Sequence, residues 1–138
     1  MSNPGPAAGF SSEAITRNIR VLVVPRFDPH RSRPTDGQWF FLYTVTIENL
    51  GEETVQLRSR HWVITDAAGR VEEVRGPGVV GEQPLLAPGD SFSYTSGCPL
   101  RTDAGKMEGS YQMVNAATGE GFDIQIAPFT LCAPGLVH

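Results

Sequence analysis

The sequence predicts an all-β fold, an antiparallel sandwich or barrel of about seven or more short strands. Three observations lead there. The 138 residues include 15 glycines and 11 prolines, an excess of turn formers that leaves little room for long helices. Several segments alternate apolar and polar residues with period two, the spacing that sends successive side chains to opposite faces of a sheet. A helical stripe at i, i+3, i+4 and i+7 does not persist anywhere, which disfavours the crossover helices of an α/β fold.

Along the chain, Met1–Ser12 reads as a flexible leader, with neither the basic start nor the apolar centre of a secretory signal. Ile15, Ile19, Val21 and Val23 form one apolar stripe with Arg17 out of pattern, and Pro25 is expected to stop it by removing a ladder donor. The stretch from Arg26 to Gly37, with Pro29 and Pro34 among charged residues, is expected to be an exposed loop. Trp39–Glu48 is the clearest strand: Trp39, Phe41, Tyr43, Val45 and Ile47 share one face, and Thr44, Thr46 and Glu48 the other. Val55–Thr65, Arg70–Arg75, Ser91–Ser96 and Ser110–Val114 are placed as strands by β-branched and aromatic content. Phe122, Ile124 and Ile126 alternate with Asp123 and Gln125 until Pro128, the expected end. The turns between them are Asn49-Leu50-Gly51, Asp66-Ala67-Ala68-Gly69, Pro88-Gly89-Asp90 and Thr118-Gly119-Glu120-Gly121. Each supplies residues that tolerate positive φ or preset a turn.

This length suits one core, so residues 13–134 are read as a single domain between the leader, 1–12, and a short tail, 135–138. The 11 basic and 15 acidic residues give a net charge of −4 without a Lys/Arg run, so the electrostatic footprint of a nucleic-acid or anionic-membrane partner is missing. No apolar run approaches the about 18 residues a membrane helix needs. Cys98 and Cys132 lack a CxxC spacing and are read as reduced residues of a cytoplasmic protein.

Gly76-Pro77-Gly78-Val79-Val80-Gly81 matches GxGxxG letter by letter. The dinucleotide fingerprint needs a helix directly after it, so that helix amides meet the pyrophosphate. Glu82-Gln83-Pro84-Leu85-Leu86-Ala87-Pro88 carries two prolines and cannot form that helix. Two readings remain: a loop whose amides cradle a phosphate, or glycines that permit a tight crossing between strands. His30, His61 and His138 do not pair with one another or with a cysteine at ligand spacing. Glu72, Glu73 and Glu82 could line an oxygen site for a hard cation, but neighbouring carboxylates on a strand point apart and read as solvated. Neither a metal site nor a cofactor is expected. Ser59-Arg60-His61-Trp62 and Tyr94-Thr95-Ser96-Gly97 offer a base and hydroxyls, without a nucleophile motif that would join them. No catalytic residue is assigned, and the chain is read as a non-enzyme.

Together, Arg60-His61-Trp62, Gly76-Pro77-Gly78-Val79-Val80-Gly81-Glu82-Gln83-Pro84, Pro88-Gly89, Tyr94-Thr95-Ser96-Gly97, Met107-Glu108-Gly109-Ser110-Tyr111 and Phe122-Asp123-Ile124 through Pro128-Phe129 resemble the ApaG family. Trp39-Phe40-Phe41-Leu42-Tyr43 and Ile47-Glu48-Asn49 extend the likeness, which runs from about Ile15 to Pro134. The resemblance implies a fibronectin type III or immunoglobulin-like β-sandwich. It also implies a link to cobalt resistance and magnesium efflux, gene neighbourhood with a diadenosine tetraphosphate hydrolase, and, in eukaryotes, use as an appended interaction domain. It implies no defined chemistry.

The first functional reading is therefore a binding module that docks another protein, as sandwich edges and loops can. The alternative is a binder of a phosphate-containing small molecule, such as a nucleotide or pyrophosphate. Its candidate ligand residues are Gly76, Gly78, Gly81, Glu82 and Gln83, with Arg60 and His61 beside them. A divalent-cation sensor ranks third and an enzyme last. A monomer and a homodimer both fit.

Overall fold

Nine strands, all paired antiparallel, build two sheets in the computed structural model, which describes residues 10–135. They are β1 (Ser12–Thr16), β2 (Ile19–Phe27), β3 (Trp39–Asn49), β4 (Val55–Asp66), β5 (Val71–Pro77), β6 (Leu85–Leu86), β7 (Ser91–Leu100), β8 (Ala104–Asn115) and β9 (Gly121–Cys132). One sheet has the order β1-β2-β3-β7 and the other β5-β4-β8-β9, with the two-residue β6 also pairing β4. Most of the leader (residues 1–9) and of the tail (136–138) lies outside the described residues.

The alternating stripes become the core. Val21, Val23, Phe41, Val45 and Ile47 from one sheet, and Leu57, Met107, Tyr111, Met113 and Ile124 from the other, are almost wholly buried. Tyr43 joins the two layers: its ring meets Trp62 edge-on at 5.3 Å and Phe129 at 5.9 Å. Trp62 is itself 6.3 Å from Tyr111 and perpendicular to Phe129. Edge-to-face contacts of this kind add to the area they bury. On one flank β9 lies against β1 and β2, where Ser12 Oγ donates to Ala127 O at 2.8 Å. On the other flank β5 and β7 end their sheets.

Several expectations are corrected. The stripe from Ile15 to Val23 is two strands, not one, because Arg17 and Asn18 form a tight turn with φ of 50° and 65°. Cross-strand partners share a face, and Ile15 sits opposite Arg20. Ile15 is therefore 58% exposed, outside the core. Ser12, placed in the leader, pairs with Val23. Pro25 does not stop β2, which continues to Phe27 opposite Phe41. Beyond Val23 the strand has lost its β1 neighbour, so a missing amide proton on that side removes nothing. Pro128 does not end β9 either: the register shifts there from Met107↔Phe129 to Gly109↔Ile126, a bulge that accommodates a residue without a ladder donor. The close packing of β8 on β4 needs a glycine at 109, where a Cβ would lie 2.0 Å from the His61 carbonyl oxygen.

Candidate functional site

The segment after β5 is anchored on a defect in β4. The β4–β8 register shifts between Leu57 and Ser59, and such a bulge turns a backbone group out of the ladder. The carbonyl of Arg58 accepts from Gly78 N at 2.8 Å and from Gln83 Nε2 at 2.9 Å. Leu57 N donates to Pro84 O at 3.1 Å, and Gln56 Nε2 to Gln83 O at 3.1 Å. The loop is held at both its start and its end.

Arg60 braces the inside of the loop. Its Nη1 donates to Pro77 O and Gly78 O, both at 2.9 Å. Gly76 lies under the guanidinium, where an added Cβ would be 3.0 Å from either terminal nitrogen. At Gly78 φ is +60° and a Cβ would fall 2.3 Å from Glu82 O, so only glycine fits.

Between those anchors the chain reverses at Val79–Glu82. Val79 N donates to Glu82 O and Glu82 N to Val79 O, each at 2.8 Å. Val80 and Gly81 both have positive φ, 43° and 80°, the pattern of a type I′ turn, which prefers Asn-Gly at its centre. Val79 is 1% exposed and holds the loop to the core, whereas Val80 is 56% exposed. A β-branched residue at positive φ is strained. The turn thus presents an apolar side chain to solvent from a rigid base. Val80 was not singled out from sequence, though a branched residue before glycine in a short Gly-flanked turn was there to be noticed.

Of the seven candidates, Arg60, Gly76, Gly78, Gly81, Glu82 and Gln83 come together in this loop. His61 is on the other face of β4, with Nε2 2.7 Å from Glu73 Oε1, because adjacent strand residues point apart. Ser110 sits directly across from His61, but its hydroxyl accepts from Gln112 Nε2 at 2.9 Å. The hydroxyl of Tyr94 is paired with that of Tyr111 across the two sheets, deep in the core. Burial pushes both phenols well above their ordinary range, and the Arg60 charge opposes this only weakly. Among the described residues no three His, Cys, Asp or Glu side chains form a group able to hold a metal ion. Nor is any helix there long and apolar enough to cross a membrane.

The loop geometry bears on the phosphate reading. The amides of Gly78, Val79 and Glu82 donate to carbonyls of the chain itself, whereas an anion nest needs successive amides aimed at the ligand.

A family model described as the ApaG domain matches residues 29–115. Protein ApaG of a Bradyrhizobium strain is 63% identical over 121 residues, covering 88% of this chain and 92% of that protein. Protein ApaG of Rhodospirillum centenum is 57% identical over 120 residues, with 87% and 92% covered. Among solved structures, the putative ApaA protein from Bordetella pertussis superposes with a TM-score of 0.82 at 52% identity, covering 85% of this chain and 94% of that one.

Proposed function

The chain belongs to the ApaG family, and on that premise we propose that it is a non-enzymatic interaction module that docks another protein on the Gly76–Pro84 loop. One observation carries this reading. Val80 is held outward at positive φ on a loop tied to β4 at both ends, and strain of this kind persists where surrounding structure enforces it, often at functional sites. An exposed apolar residue on a rigid base is a good anchor, because little side-chain entropy is lost when it is covered. The strand order β1-β2-β3-β7 against β5-β4-β8-β9 supports a fibronectin type III-like sandwich, an architecture much used for display of loops and edges. The link to cobalt resistance and magnesium efflux would then be exerted through the bound protein, in the cytoplasm.

The alternative, a phosphate or nucleotide ligand on the same loop, draws support from Arg60 and the glycines but fewer amides serve it. The Val80→Asn variant separates the two. Asparagine suits the turn while removing the apolar anchor, so a partner captured from lysate by the wild-type chain should be lost by V80N. Capture of the same partner by both would overturn the docking reading. Saturable amide shifts at Gly76, Gly78 and Gly81 with pyrophosphate or ATP would favour the alternative instead.

A further inference from the structure

At the other end of β5 the structure has a cleft of about 870 Å³, within the range of small-molecule sites. It opens between the start of β3, the end of β7 and the β4–β5 hairpin. Trp39, Phe40, Ile64, Val71 and Leu100 supply apolar surface, and Val71 is 61% exposed there. Three arginines, Arg31, Arg70 and Arg101, face it from three different segments.

Two of those arginines are oriented by carboxylates that engage Nε. Arg70 Nε donates to Asp66 Oδ2 at 2.9 Å, and Asp66 Oδ1 accepts the amides of Ala68 and Arg70. Both oxygens of Asp66 are thereby engaged, and its side chain is only 10% exposed. Arg31 Nε lies 3.5 Å from Asp28 Oδ2, and its guanidinium sits over the Phe40 ring at 5.4 Å. A guanidinium held through Nε still offers its terminal nitrogens as a planar fork that matches a carboxylate or phosphate. Arg101 has no carboxylate partner among the described residues. Two acids of the lining, Asp36 and Glu72, remain outside these pairs. Glu72 is opposite Ile64 in the β4–β5 ladder and so shares its face. An anion alone would meet those carboxylates unfavourably. A ligand that also brings a hydrogen-bond donor would satisfy both kinds of group.

We propose that this cleft binds a small planar organic anion, an aromatic ring bearing a carboxylate or phosphate at one end and an amino or ring N–H donor at the other. The ring lies on Trp39 and the aliphatic floor, the anion meets the forks of Arg70 and Arg101, and the donor faces Glu72 or Asp36. This site is separate from the Gly76–Pro84 loop.

Titration of the isotope-labelled full chain with 4-aminobenzoate, 4-aminophenyl phosphate and the neutral 4-aminobenzamide tests it. The two anions should shift the Trp39 indole N–H and the amides of Arg70, Val71, Glu72, Leu100 and Arg101 saturably, with Kd of about 1 mM or tighter. The stronger of the two identifies the anionic group preferred. The neutral amide should bind at least about tenfold more weakly, as expected for losing a charge-assisted fork. Arg101 is exposed and unpaired, so Arg101→Ala should keep the wild-type spectrum elsewhere yet weaken both anions about tenfold. Arg101→Lys should recover only part of this, since a point charge does not reproduce the fork. Shifts that stay linear with ligand, equal binding of the neutral amide, or an Arg101→Ala variant that titrates like the wild type would each overturn the proposal.

Discussion

Val80 places a side chain branched at Cβ in the left-handed region, where a non-glycine residue costs about 1–2 kcal/mol. The surrounding contacts enforce it: Val79 is buried, Gly78 is pinned to Arg58 O, and Arg60 clamps the two carbonyls before the turn. Asparagine tolerates this conformation better, and the valine side chain is more than half exposed, so little burial is lost on replacement. Val80→Asn should therefore raise the melting temperature by about 2–6 °C, read by calorimetry, in the same variant that loses the partner. A lowered melting temperature would show that Val80 packs favourably where it stands. The sequence made this loop conspicuous through its glycine spacing. Spacing does not record which amides are already bonded within the chain, and here the bulge at Arg58, invisible in the sequence, decides that.

At the level of strands, the pairing of Tyr94 on β7 with Tyr111 on β8 is the polar counterpart of the Tyr43–Trp62–Phe129 contact between the sheets. Each hydroxyl is buried and satisfies the other. Tyr111→Phe alone strands the Tyr94 hydroxyl and should cost about 1–3 kcal/mol, and Tyr94→Phe should do the same to its partner. The double variant replaces both groups by apolar ones of the same shape, so urea unfolding should find it more stable than the sum of the singles implies. Strictly additive losses would mean that the pair contributes nothing as a pair. The strands themselves were legible to different degrees for physical reasons. β3 could be read residue by residue because Phe41, Tyr43, Val45 and Ile47 are buried on one face while Thr44, Thr46 and Glu48 stand on the other. β1 and β2 merged into a single stripe because their turn, Arg17–Asn18, contains no glycine or proline. The prolines misled because Pro25 and Pro128 occupy positions where the ladder does not need their donor. The cleft at the start of β5 was not legible at all, since Trp39, Arg70 and Arg101 meet only through the sheet order.

For the whole molecule, the ionisable groups sealed between the sheets set the response to pH. Burial, aided by the Glu72 charge, pushes the Cys98 thiol up from an ordinary 9.0 to about 12. Burial likewise raises the phenols of Tyr43, Tyr94 and Tyr111 above their ordinary 10.0. In the unfolded chain these four groups lose their protons near the ordinary values, while the folded chain keeps them, so between the two ranges the native state binds more protons. Stability must then fall as pH rises. Its contribution from these groups is complete below about pH 8 and is lost progressively above about pH 9. Asp66 works at the other end: burial opposes its ionisation, but the Arg70 side chain and the amides of Arg70 and Ala68 outweigh this and hold its carboxyl low. That contribution is present above the ordinary carboxylate range and disappears as pH falls below it. Melting temperatures measured from about pH 2 to pH 11 should thus show a fall on the acid side, a plateau near neutrality and a steeper alkaline decline. The double variant Tyr94→Phe with Tyr111→Phe removes two of the four groups and should flatten the alkaline limb without changing the acid one. A wild-type profile that stays level to pH 11 would mean that these groups reach solvent without unfolding. Because they belong to both sheets, their ionisation should separate the layers and not merely loosen an edge, so the alkaline transition should be as cooperative as the thermal one at neutral pH.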